Sequence, residues 1–157
     1  VGVDPTASST GDACGIVAVG EAGEHLYPLE DATLQGSPEA WARAVVTLYH
    51  KLKADAIIAE ANQGGEMVTA VLAQVERNLP VHLVHATRGK AVRAEPVSAL
   101  YEQGRVHHVG NLVALENELC QWEPTGSASP NRLDALVWAC TELLKPRGVL
   151  VGKPRGR

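Results

Sequence analysis

A chain of 157 residues, 45% hydrophobic and 20% charged, has the size and balance of one globular domain that can bury a core without staples. Its net charge of -4 excludes a generally basic nucleic-acid coat protein, while leaving room for an enzyme whose contact with nucleic acid is local. The three cysteines, Cys14, Cys120 and Cys140, are scattered and odd in number, which excludes a disulfide framework and a close-spaced zinc site and fits a reducing cytoplasm.

The chain opens on Val1-Gly2-Val3-Asp4, a short buried strand closed by an Asp-Pro turn. That start has neither the basic nor the apolar segment of a signal peptide. Lacking an initiator Met, it reads as a piece of a longer protein. A loop of small hydroxyl residues follows, Thr6 to Gly11. Cys14 to Gly20 is predicted as a second strand and His25 to Leu34 as a third, with Glu21-Ala22-Gly23 as the turn between them. Beyond Gly36 the apolar period changes from two to about 3.6. Ser37 is a plausible N-cap with Pro38 at the first helical position, and Trp41, Val45, Leu48, Tyr49 and Leu52 then fall on one helix face. Ala56 to Glu60 is an apolar strand ending in an acid. Gly64-Gly65 opens a helix bearing Met67, Val71, Leu72 and Val75. His82 to Ala86 is a strand, Pro96 to Gln103 a helix, Val106 to Val109 a short edge strand, and Leu112 to Trp122 another helix. A loop rich in Gly, Ser and Pro spans Glu123 to Pro130, and the last helix runs from Asn131 to Leu144. The fold class is therefore α/β: an antiparallel three-stranded meander followed by parallel strands in one mixed sheet, with helices on both faces. Residues 1–145 form the domain, and residues 146–157 a basic C-terminal tail. No apolar run approaches the roughly 18 to 20 residues needed to cross a bilayer.

Three acids stand out by position. Asp4 and Glu60 each close a strand at its carboxyl end, where alternating α/β sheets place their ligands, so both face one crevice if the strands are neighbours. Asp134 lies one turn into the final helix, among the packing positions Leu133, Leu136, Val137 and Cys140. Three carboxylates brought together raise one another's pKa, and a hard divalent cation relieves that repulsion. Two such ions clamp the attacking and leaving oxygens of an in-line displacement at phosphorus, with water as nucleophile. Each acid alone also has a structural reading: a turn initiator for Asp4, a solvated strand end for Glu60, a dipole-favoured helix start for Asp134. The inference rests on the three together.

These residues resemble a known family. Val1-Gly2-Val3-Asp4-Pro5, Gly15-Ile16-Val17, Ile57-Ile58-Ala59-Glu60-Ala61-Asn62, the segment Arg88 to Pro96 with Leu100-Tyr101 and Gly104-Arg105-Val106, and the helix Asn131 to Ala139 are similar to the nuclease domain of phage terminase large subunits. The resemblance spans Asp4 to Leu144 and implies a ribonuclease H-like fold and a metal-dependent DNA endonuclease, using Mg²⁺ or Mn²⁺, with two ions expected. Carried over by position, Asp4, Glu60 and Asp134 are the expected catalytic, metal-binding acids. Asn131, three residues before Asp134 and on the same helix face, is a secondary metal candidate, and Asp12 a weaker one. Arg88, Lys90 and Arg93 are the expected contacts to double-stranded DNA. The resemblance also implies a viral protein acting in the host cytoplasm on concatemeric genomes. Its expected partners are an upstream packaging ATPase domain, a portal and a small terminase subunit, with no membrane. The sequence has no Gly-x-x-x-x-Gly-Lys-Ser/Thr, so no P-loop is expected in this chain.

Rival readings share features with this one. A Holliday-junction resolvase or another ribonuclease H-like nuclease needs the same acids. A sugar-kinase or actin-type ATPase opens with a similar hairpin but needs a second phosphate loop. A non-catalytic module holding DNA or the portal gains nothing from concentrated acids. His107 and His108, adjacent in a strand, are expected to face opposite ways and not to share an ion. Trp41, Trp122 and Trp138 fall in apolar helical patterns and are expected in the core.

Overall fold

The computed structural model describes residues 1–5, 13–62, 65–124 and 130–146. The loop from Thr6 to Gly11, Asp12, Gly64, and most of the loop before Pro130 and of the basic tail lie outside the described residues. Five strands form one sheet: β1 (Gly2–Asp4), β2 (Gly15–Ala22), β3 (His25–Asp31), β4 (Ile57–Glu60) and β5 (Val81–Val84), in the order β3-β2-β1-β4-β5. The first three pair antiparallel, while β4 joins β1 in parallel and β5 joins β4 in parallel. This is the mixed sheet expected from the change of period. The predicted edge strand at Val106 is a single parallel bridge to Leu26, extended by backbone bonds from His107 N–H to Leu26 O and from Val109 N–H to Pro28 O.

Helix α1 (Pro38–Leu52) begins where the sequence says it should, with the Ser37 hydroxyl accepting from Ala40 N–H and Pro38 in the first turn. It packs with α2 (Gly65–Val75) on one face of the sheet. Trp41, Val45, Leu48, Val68 and Leu72 meet Val3, Ile16, Ile57 and Ala59 there in one dry core. On the other face lie α3 (Lys90–Glu102), α4 (Val113–Gln121) and α5 (Asn131–Leu143), joined through Val17, Leu100, Leu115 and Leu136.

Helix α3 departs from expectation. It starts at Lys90, six residues before the proline that had looked like its first position, and carries Pro96 inside. Proline inside a helix removes one backbone hydrogen bond, a loss on the order of 3 kcal/mol unless other contacts offset it. Here the first turn is anchored from outside, by ion pairs of Lys90 and Arg93 with acids on α5 and β4. Among the described residues no helix is long and apolar enough to cross a membrane.

Candidate active site

Strand alternation decides which side chains reach the second face. Val3, Ile16 and Ala59 are register partners that all point into the α1/α2 core. Their neighbours Gly2, Asp4, Gly15, Ile58 and Glu60 must therefore point to the α5 side. Helix α5 can lie against the strands there because two of those positions are glycine. A Cβ on Gly2 would stand 2.0 Å from the Ala135 carbonyl oxygen, and one on Gly15 would stand 1.9 Å from that of Asn131. The close approach carries Asp134 down to the sheet, where it is 2% exposed and the one charged residue fully buried among those described.

Because β1 and β4 are parallel neighbours, with Val3 opposite Ala59, Asp4 and Glu60 leave the sheet side by side at its carboxyl edge. Asp134 approaches from α5, and all three acids are electrostatically coupled at Asp4. Burial pushes the Asp4 carboxyl up to about 8; the charges of Asp134 and Glu60 add to that push, and Lys90 and Arg93 only partly offset it. With two cations for three acids, one negative charge remains uncompensated, and Asp4 takes up the proton that removes it.

The two cations come from the first turn of α3. Lys90 Nζ stands 2.6 Å from Asp134 Oδ2. Arg93 spans the other two groups, with Nη2 3.5 Å from Asp134 Oδ1 and Nη1 3.6 Å from Glu60 Oε2. A lysine at the N-terminal position of a helix works against the helix dipole, so its place there is set by Asp134 and not by local preference. The pairing is incomplete. Asp134 Oδ2, although close to Lys90, lacks a hydrogen bond of proper angle, and Arg93 Nε and Nη1 also lack one. Most buried polar atoms in folded proteins are hydrogen-bonded, so three unsatisfied ones in a single cluster set this edge of the sheet apart.

Trp138 completes the cluster. It sits one helical turn beyond Asp134 on the same face of α5, donates from Nε1 to Glu60 Oε2 at 2.9 Å, and lies under the Arg93 guanidinium at 4.6 Å. Trp138 is buried, as expected of a core residue, and its polar edge in addition meets the acid cluster. An apolar helical pattern cannot signal that; only the neighbouring strand end reveals it.

Three carboxylates suit a hard divalent cation in donor type. Among the described residues no three acids, histidines or cysteines stand at ligating separation, and Lys90, Arg93 and Trp138 meet the Asp134 and Glu60 oxygens. Asn131 opens α5 one turn before Asp134, and its carbonyl backs Gly15. Arg88 is exposed in the turn before α3. Asp12 lies outside the described residues. His107 and His108 do face opposite ways, as strand geometry requires: His107 meets His25 and Tyr27, while His108 meets Tyr101 and Glu116.

Residues 1–143 match the family model described as the terminase RNaseH-like domain. Solved structures agree in fold. The terminase nuclease domain of human cytomegalovirus, soaked in Mn with an inhibitor bound, aligns with a TM-score of 0.65 at 16% identity, covering 90% of this chain and 81% of that one. The large terminase nuclease of the thermophilic phage G20c aligns at 0.57 with 13% identity over 82% of each chain. Thermus thermophilus RuvC aligns at 0.50 with 19% identity over 90% of each. No curated protein matches the sequence.

Proposed function

The chain belongs to the terminase RNase H-like domain family, and from that premise we propose that it is a divalent-metal-dependent endonuclease that hydrolyses the phosphodiester bonds of double-stranded DNA. The observation that carries this reading is the convergence of Asp4, Glu60 and Asp134 from three separate segments onto one edge of the sheet, with a buried oxygen of Asp134 left without a hydrogen bond. In the proposal these acids hold Mg²⁺ or Mn²⁺, most simply as a pair of ions. Asn131 lends secondary support at the start of the same helix. When bound, the ions supply an activated water and neutralise charge at the phosphorus. The Mn soak of the cytomegalovirus domain supports the choice of metal.

The chain's own residues do the rest. Asp4 gives up its proton as positive charge arrives, so binding tightens as pH rises. Lys90, whose side chain is 42% exposed while paired with Asp134, would be free to meet a backbone phosphate once a cation held that carboxylate. Arg93 holds Glu60 and Asp134 from the protein side, and the exposed Arg88 adds charge along the approach of the DNA. On this reading residues 1–145 are the nuclease unit and residues 146–157 a basic tail. The substrate is concatemeric viral DNA in the host cytoplasm. The wider assembly adds a packaging ATPase upstream, a portal and a small subunit.

The test is digestion of supercoiled plasmid by the purified protein with Mn²⁺, Mg²⁺ or EDTA. Metal-dependent nicking and linearisation, stronger with Mn²⁺ and lost in EDTA, is the expected result. The pairing of Lys90 and Arg93 with the acids favours one rival, a module whose acids are permanently neutralised and which only holds DNA. A folded protein that binds DNA but neither cuts it nor takes up metal would establish that rival instead.

A further inference from the structure

We infer that Trp138 is a positioning residue of the acid site, setting Glu60 and Arg93 in place through one hydrogen bond and one ring face. The inference rests on the reading of Glu60 as a metal-holding carboxylate and names a residue that holds it from behind.

A tryptophan that merely fills space between a helix and a sheet directs its N–H wherever a partner happens to be. Here the Nε1–H meets the carboxylate that closes β4, at 2.9 Å, and the residue is 7% exposed. The bond fixes one Glu60 oxygen from the protein side and leaves the other unassigned to it. The same indole supports the Arg93 guanidinium at 4.6 Å, and that arginine side chain is 12% exposed. A guanidinium over an indole is held flat, with its donors directed around the ring edge, here towards Glu60 and Asp134. Spacing explains why one residue can serve both. Positions 134 and 138 are one helical turn apart, so α5 presents a carboxylate and an indole side by side. Groups that orient a metal-holding side chain from behind commonly govern metal affinity about 10- to 100-fold.

The experiment is calorimetric titration of Mn²⁺ into the wild-type protein and the Trp138→Phe variant, beside thermal melting of both without metal. The phenyl ring keeps part of the packing and a weaker face for Arg93, and loses the N–H together with the second ring of the indole. The expected result is a roughly 10-fold or greater loss of Mn²⁺ affinity with a melting temperature changed by only a few degrees. A Phe variant that binds Mn²⁺ as tightly as the wild type overturns this inference alone. A wild-type protein that binds no metal overturns the proposed function with it. If the Phe variant does not fold, the indole N–H signals of the wild type and of Glu60→Ala decide. Loss of the carboxylate should move one of the three signals upfield and speed its exchange with water. Three unmoved signals overturn the inference.

Discussion

The two faces of the sheet are made by alternate residues of the same strands and have opposite characters. Val3, Ile16, Ile57 and Ala59 point to α1 and α2, where the buried neighbours among the described residues are apolar. One residue along, Gly2, Gly15, Asp4 and Glu60 point to α5, where two positions carry no side chain and two carry acids. The first face stabilises the fold by removing apolar surface from water. The second also buries apolar surface, through Val17, Leu115 and Leu136, but at the carboxyl edge of the sheet it adds a close helix and a crowded set of charges. A stable face lets its opposite tolerate a costly one, which is where local rules are expected to fail for functional reasons.

The contrast can be broken from either side. Asp134→Asn keeps size and burial while removing the charge, and is expected to lower plasmid cutting by at least about 1,000-fold, on the scale of losing a fixed charge contact to a transition state. Val3→Ala on the opposite face should leave cutting by the folded fraction within a few-fold, although it destabilises the protein by about 1–3 kcal/mol in denaturant titration. Gly2→Ala sharpens the comparison further. Its new methyl meets the Ala135 carbonyl, so α5 must shift, with an expected loss of about 1–3 kcal/mol and of activity together.

A smaller effect lies in the pH dependence. The ordinary Asp4 pKa of 3.8 is raised to about 8 in the folded protein, so between those values the folded state holds a proton that the unfolded chain has released. Metal-free stability is therefore fullest below about pH 4 as far as Asp4 is concerned, and declines as pH rises towards 8. Asp4→Asn should remove the decline and raise stability at pH 8 by an amount on the order of a few kcal/mol, while abolishing cutting. Melting curves of both proteins at pH 5 and pH 8 measure it. The smallest effect is expected at Lys90. Without its ammonium beside Asp134, Lys90→Ala should bind Mn²⁺ a few-fold more tightly in calorimetry and yet cut DNA more slowly, because a phosphate contact is lost.

Much of this arrangement was legible in the sequence. The change of period at Ser37, the apolar runs ending in Asp4 and Glu60, and the Gly-flanked hairpins give the mixed sheet and put two acids at strand ends. What stayed hidden depends on which surfaces meet. Gly15 lies inside the predicted second strand, and nothing along the chain shows that a helix passes over it. Pro96 read as a helix start because proline favours first positions, and nothing local shows that Asp134 and Glu60 anchor the turns before it. Trp138 read as core because its apolar neighbours set the pattern, while the group its N–H meets is 78 residues away. Lys90 and Arg93 were assigned to DNA, near the acids, by the resemblance; that they pair directly with Asp134 and Glu60 follows only from the packing of α3 on α5.

Titration of Mn²⁺ into the wild-type protein and Asp134→Asn at pH 7, in two buffers of different ionisation heat, tests the central claim most directly. Binding by the wild type with release of close to one proton, the one held by Asp4, and no binding by the variant is the predicted result. No binding by the folded wild type, or equal binding by Asp134→Asn, would contradict the claim that these acids form a metal-dependent nuclease centre.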